Sequence, residues 1–245
     1  MLGLPDQIKG CLFDLDGVLT PTAKVHSAAW KQMFDGFLRD RAEREGSAFE
    51  EFTAQDYAAY VDGKPRGDGI RSFLGSRGIE LPDGGPDDGP EQATVNGLGA
   101  RKNALFTKVL ETDGVDAYPG SAAYVDAAIA AGHRCAVVSS SANCRPILEA
   151  AGIIDKFEAI VDGVVARRDG LAGKPAPDTF LAGAEALGLE PAVCAVYEDA
   201  LAGVEAGAAG DFGIVIGVNR ADQAEALAEH GADEVVDDLE ELLER

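Results

Sequence analysis

Short apolar runs rich in Val and Ile recur after residue 110, each followed by an Ala-rich amphipathic stretch that ends near a Gly. The runs are RCAVVSS (134–140), FEAIVD (157–162), VCAVYE (193–198) and GIVIGV (213–218), and KGCLFD (9–14) opens the chain in the same manner. Their hydrophobicity is continuous rather than alternating, as expected of strands buried on both faces in a parallel sheet covered by helices. The intervening stretches GSAAYVDAAIAAG, NCRPILEAAGI, APDTFLAGAEALG and ALAGVEAGAAG read as the covering helices, with Gly where helices commonly stop. The pattern predicts an α/β fold with a doubly wound parallel sheet, a Rossmann-like core.

Residues 22–106 follow a different pattern, with no buried strand run. In VHSAAWKQMFDGFLRDRAERE the apolar positions Val25, Ala29, Met33, Phe34 and Phe37 follow helical spacing, and DYAAYVD and IRSFLGSRGI continue in kind. LPDGGPDDGP (81–90) is rich in Pro, Gly and Asp and reads as an exposed loop. The expected organisation is therefore a core built from 1–21 and 107–245, interrupted by an all-helical cap at 22–106. At roughly 150 residues per domain, a chain of 245 residues suits a core carrying a smaller insert.

Charge narrows the function classes. The net charge of −22 repels nucleic acid and anionic membrane surfaces, so neither is expected as a partner. An anionic substrate meets the same field, so a phosphate site must be rebuilt locally from cations, a metal or helix N-termini. Cys11, Cys135, Cys144 and Cys194 form no CxxC pair, which suits a reducing cytoplasm. No apolar stretch has the length of a signal peptide or of a membrane span, so a soluble cytoplasmic protein is expected.

Candidate chemistry sits at the ends of the expected strands, where ligands bind in such sheets. FDLDGVLT (13–20) carries Asp14 and Asp16 two residues apart, on one side of a strand, before a turn at Gly17. One carboxylate can serve as nucleophile and metal ligand while the other exchanges protons. SSSAN (139–143) offers hydroxyls and backbone N–H groups ahead of a helix. GKPAPD (173–178) places Lys174 before the next helix, and Glu198 with Asp199 closes a strand where paired acids repel unless a cation joins them. Taken singly, these segments also read as an acidic turn, an N-cap, a solvated lysine and a helix cap.

Together, in this order, they resemble the signature of the haloacid dehalogenase superfamily of aspartate-nucleophile phosphotransferases, and the likeness spans essentially the whole chain. The resemblance implies that Asp14 is the phosphoryl-accepting nucleophile, Asp16 the general acid/base, Ser139 a phosphate ligand and Lys174 a charge-balancing group. It also implies Mg2+ held by Asp14, Glu198, Asp199 and the backbone carbonyl of Asp16. A helical cap entering after the first motif looks like the β-phosphoglucomutase branch, and cap residues match: His26 and Trp30, Gly63 and Arg66, Lys102 and Asn103. In that branch the Arg grips the sugar phosphate that is not transferred, the His and Lys steer acid/base chemistry and cap closure, and the positions of Ser141 and Asn143 contact the distal phosphate. Trp30 also reads as a core aromatic, His26 as a helix-surface residue, and Arg66 and Lys102 as solvated cations. Two departures stand out: Pro21 where the family usually has Asp, and Ala142 where the best-known members carry Lys.

The resemblance implies a sugar-phosphate isomerase, converting β-glucose 1-phosphate to glucose 6-phosphate through a phospho-aspartate and a bisphosphate, with a monomer expected. The alternative is a sugar-phosphate phosphatase, in which water attacks the same phospho-aspartate. A third reading, a catalytically silent sugar-phosphate sensor, gives no chemical reason for the full acidic and basic set.

Overall fold

The structure, a computed structural model, describes residues 2–244. The chain divides into two compact units, one running to Pro21 and resuming at Val115, the other spanning Thr22–Gly114.

The first unit is built on a six-stranded, all-parallel sheet: β1 (Gly10–Phe13), β2 (Arg134–Val138), β3 (Ala159–Val161), β4 (Cys194–Glu198), β5 (Ile214–Val218) and β6 (Glu234–Val236), in the order β3-β2-β1-β4-β5-β6. β1 and β4 are buried throughout, as apolar runs inside a parallel sheet are, with Glu198 at the end of β4 the one charged residue among them. The chain moves outward from β1 to β3, then returns to the other side of β1 as β4. This reversal opens a crevice at the strands' carboxyl ends, where doubly wound sheets bind ligands. Leu12, Val138, Phe180, Val196 and Val204 form part of the core on one face of the sheet.

The helices of this unit are packed by the same apolar logic. The first four helices of the chain belong to the inserted unit. That unit holds α1 (Thr22–Glu45), α2 (Ala54–Tyr60), α3 (Arg66–Ser76) and α4 (Val95–Asp113), and contains no strand among its described residues. Phe34, Phe52 and Phe73 form a triangle of rings with centroids 4.4–5.0 Å apart, and Trp30 stacks on Phe34. Burying each such ring contributes about 1.5–3 kcal/mol, which gives this small unit a core of its own. The first unit then supplies α5 (Pro119–Ala130), α6 (Cys144–Ala150), α7 (Gly163–Asp169), α8 (Asp178–Ala186), α9 (Leu201–Ala209) and α10 (Ala224–Glu229).

Several details differ from the sequence expectation. β1 stops at Phe13, so Asp16 is not on the strand but in a tight turn, where it bridges Thr20 and the Gly17 amide donates to the Thr20 carbonyl. The helical unit extends past 106 because α4 continues unbroken to Asp113. α4 itself was hidden by Gly97 and Gly99 in its first turns; Gly97 is there because the Gln92 carbonyl occupies the place of a Cβ. β6 is three residues long at the sheet edge, flanked by acids, and carried too little apolar pattern to read.

Candidate active site

Parallel register brings the acidic residues together. Phe13 pairs with Tyr197, and the Asp14 amide continues the ladder by donating to the Tyr197 carbonyl at 2.9 Å. Asp14 thus leaves β1 beside Glu198, the last residue of β4. Carboxylate oxygens of Asp14, Glu198 and Asp199 all lie within 4.8 Å of one another. Two glycines make room for them. Gly203 stands where any Cβ would run into the Glu198 carboxylate, and Gly17, at φ +87°, stands where a Cβ would run into that of Asp199. Such a φ is open to Gly at little cost.

Lys174 reaches this group from the segment before α8. Its Nζ donates to Asp14 Oδ1 at 2.6 Å, Glu198 Oε1 at 2.5 Å and the Val138 carbonyl at 3.3 Å, satisfying all three ammonium protons. The other Glu198 oxygen, Oε2, accepts from the Ala200 amide at 2.8 Å. Lys174 is 3% exposed and Glu198 1%, so the charges interact with little solvent screening.

Burial and the excess of acids over bases together set the titration of Asp14 and Lys174. Burial pushes the Asp14 carboxyl well above the usual carboxylate range; Lys174 opposes the shift, while the Glu198 and Asp16 charges reinforce it. Burial alone would lower the Lys174 pKa, but Asp14 and Glu198 outweigh it and hold the ammonium charged. One ammonium cannot neutralise three carboxylates, so the site retains excess negative charge. An all-oxygen cluster of this kind fits a hard divalent cation, and the close approach of Asp199 to Gly17 keeps the cluster compact. The Asp16 side chain is not a member of the cluster; the sequence expectation there concerned its backbone carbonyl.

Ser139 follows β2, next to β1. Its amide donates to the Val161 carbonyl, its Oγ accepts from the Ser141 amide at 3.1 Å, and Ser141 Oγ accepts from the Asn143 amide at 3.2 Å. These bonds coil 139–143 into a compact loop leading into α6.

The helical unit gathers the other expected residues into a second cluster. His26 and Trp30 lie on α1, Lys102 and Asn103 on α4, and Arg66 at the start of α3 after the turn at Gly63, whose φ is +70°. Lys102 Nζ lies 2.5 Å from His26 Nδ1 and 5.4 Å from the Trp30 ring centroid. An ammonium can only donate, so Nδ1 is the acceptor and the neutral imidazole carries its proton on Nε2. Burial holds the His26 pKa well below its ordinary value, and the charges of Lys102 and Arg66 lower it further. Arg66 donates to Asn103 Oδ1 at 3.1 Å and, at 3.4 Å, to the carbonyl of Gly99. Lys102 is 2% exposed rather than solvated, and Trp30 is part of the unit's aromatic core.

Two further residues escaped the sequence reading. Arg220 Nε donates to the Gly17 carbonyl and Gln223 Nε2 to the Asp199 carbonyl, each at 2.9 Å. Both lie on NRADQ (219–223), which follows β5 at the same sheet end as the other motifs. That position was the signal available.

Residues 8–211 match the family described as haloacid dehalogenase-like hydrolase. The β-phosphoglucomutase of Mycobacterium tuberculosis is 56% identical over 99% of this chain and 94% of its own length, and that of Mycobacterium bovis matches equally. Hexitol phosphatase A of Escherichia coli is 33% identical over 82% of this chain and 79% of its own. Among solved structures, β-phosphoglucomutase from Clostridium difficile superposes with a TM-score of 0.74 at 25% identity, covering 96% of this chain and 93% of the other.

Proposed function

The chain belongs to the haloacid dehalogenase-like hydrolase family, and from that premise we propose that it is a β-phosphoglucomutase, interconverting β-glucose 1-phosphate and glucose 6-phosphate. The observation that carries this reading is the 56% identity to the mycobacterial β-phosphoglucomutases, which runs through the inserted unit as well as the core.

In this reading Asp14 accepts a phosphoryl group on its carboxylate, forming the acyl phosphate as the previous P–O bond breaks. The group then passes to a sugar hydroxyl, whose proton Asp16 takes; Asp16 returns a proton to the leaving sugar oxygen in the opposite half-reaction. Lys174 offsets the negative charge that would repel an incoming phosphate. At an effective dielectric of 20, one like-charge pair about 4 Å apart costs on the order of 4 kcal/mol. Asp14, Glu198, Asp199 and the Asp16 carbonyl would hold Mg2+, which, when bound, neutralises charge on the transferring oxygens. Ser139 binds the phosphate being transferred. Arg66 serves the phosphate that stays, a task suited to a planar guanidinium fork, and Asn103, Ser141 and Asn143 are further candidates for binding substrate. His26, Trp30, Gly63 and Lys102 complete the substrate-binding set. The four thiols, all buried and unpaired, suit a reducing cytoplasm, and no described helix is long and apolar enough to cross a membrane.

A second reading, hydrolysis of the same phospho-aspartate by water, draws on the likeness to hexitol phosphatase A. Primer dependence separates the two. A mutase needs a bisphosphate to phosphorylate Asp14, so formation of glucose 6-phosphate from β-glucose 1-phosphate should begin after a lag that added β-glucose 1,6-bisphosphate abolishes. Phosphate release without a lag, indifferent to the bisphosphate, would support the hydrolase instead.

A further inference from the structure

We propose that Arg220 and Gln223 are positioning residues for the metal cluster: by gripping the carbonyls of Gly17 and Asp199 they fix the separation of the two segments from which the cluster is built. The proposal rests on the reading that Asp14, Glu198 and Asp199 bind Mg2+.

The two gripped carbonyls belong to segments that abut. Gly17 is the residue after Asp16, and the Asp199 carboxylate fills the space a Cβ at 17 would take. The β1–β4 ladder ends with Asp14 and Tyr197, before Gly17 and Asp199 are reached, and the Gly17 amide is taken up within its own turn by the Thr20 carbonyl, which leaves the Gly17 carbonyl facing the loop after β5. The loop after β5 bonds to both segments. Arg220 donates Nε to the Gly17 carbonyl, and Gln223 donates Nε2 to that of Asp199.

This loop is itself braced. Arg220 Nη1 donates to the Asp237 carbonyl at 2.8 Å and to Asp238 Oδ2 at 2.9 Å, and its guanidinium stacks 3.9 Å from the Tyr118 ring centroid. Asn219 donates its amide to the Val236 carbonyl and its Nδ2 to Asp237 Oδ1, and accepts the Gln223 amide on Oδ1. A guanidinium fixed on three sides delivers Nε to one place. Groups that orient metal ligands from behind are commonly worth about 10- to 100-fold in metal affinity.

The test is calorimetric titration of the metal-free full chain with Mg2+. Gln223→Met keeps the side-chain length without the donor, and Arg220→Met removes the fork, while Arg220→Lys retains one donor. Both Met variants should raise the Mg2+ Kd about tenfold or more, with Arg220→Lys recovering part of the loss. Their unfolding temperature in chelator should change far less, and their turnover should recover at saturating Mg2+. Should Arg220→Met fail to fold, Gln223→Met decides alone. Arg134→Gln, which breaks an exposed ion pair with Glu158 in the same unit, should leave the Kd unchanged. Unchanged Mg2+ affinity in the Met variants, or an equal loss in Arg134→Gln, would overturn the proposal. Wild-type protein that binds no Mg2+ would overturn the metal reading and the proposal with it.

Discussion

At the scale of single residues, the candidate site is a problem of charge crowding solved by Lys174 and small neighbours. Asp14→Asn is nearly isosteric and cannot form an acyl phosphate, so sugar-phosphate turnover should fall by roughly 10⁴-fold or more with the fold retained. Asp16→Asn should lose roughly 10²- to 10⁴-fold and still allow slow phosphorylation of Asp14, seen as a phosphoryl adduct by mass spectrometry. Gly17→Ala would place a methyl on the Asp199 carboxylate at a φ that L side chains rarely adopt. It should weaken Mg2+ binding at least tenfold, an effect of the size that supporting groups have on metal sites; wild-type affinity would mean that Gly17 and Asp199 are not packed as described. The acids and Lys174 were legible because their residue types are unusual at the ends of apolar strands. Arg220 and Gln223 were not, because they act on backbone carbonyls, which any residue supplies.

Among the elements, the long apolar strands were the most legible, and α4 and the short β6 the least. A continuous apolar run such as VCAVYE has few alternatives, whereas α4 starts with Val-Asn-Gly-Leu-Gly and conceals its period. The consequence reaches chemistry, since α4 carries Lys102, whose contact with His26 on α1 fixes that imidazole as neutral. The sign of the pH effect follows. In the unfolded chain His26 takes up a proton below about pH 6.5, while in the folded chain burial and two nearby cations prevent it. The unfolded state then binds more protons, so this contribution to stability is complete above about pH 6.5 and declines as the pH falls below it. Urea titrations at pH 7.5 and about 5.5 should show a smaller pH-dependent loss in His26→Gln than in wild type. Equal losses would mean that His26 is protonated in the folded protein.

For the whole molecule, the sheet order β3-β2-β1-β4-β5-β6 explains why motifs separated by more than half the chain converge: Asp14 directly follows β1, and Glu198 ends β4, its neighbour across the chain reversal. The doubly wound core was readable from apolar runs alone, but the strand order needed the register. The net charge of −22 acts at this scale too. It opposes the approach of any sugar phosphate, and salt screens it, the Debye length falling from about 30 Å at 0.01 M to about 8 Å at 0.15 M. Under saturating Mg2+, KM for β-glucose 1-phosphate should therefore fall as ionic strength rises over that range; a rising KM would mean that local cations dominate the approach.

In the proposed mutase reaction Asp14 passes its phosphoryl group to sugar rather than to water. Phosphorus NMR of wild-type protein with Mg2+, β-glucose 1-phosphate and catalytic β-glucose 1,6-bisphosphate resolves glucose 6-phosphate and inorganic phosphate in one time course. A mutase should give glucose 6-phosphate rising as β-glucose 1-phosphate disappears, with inorganic phosphate a minor signal. Inorganic phosphate rising in step with substrate loss, with no glucose 6-phosphate at any time, would contradict it.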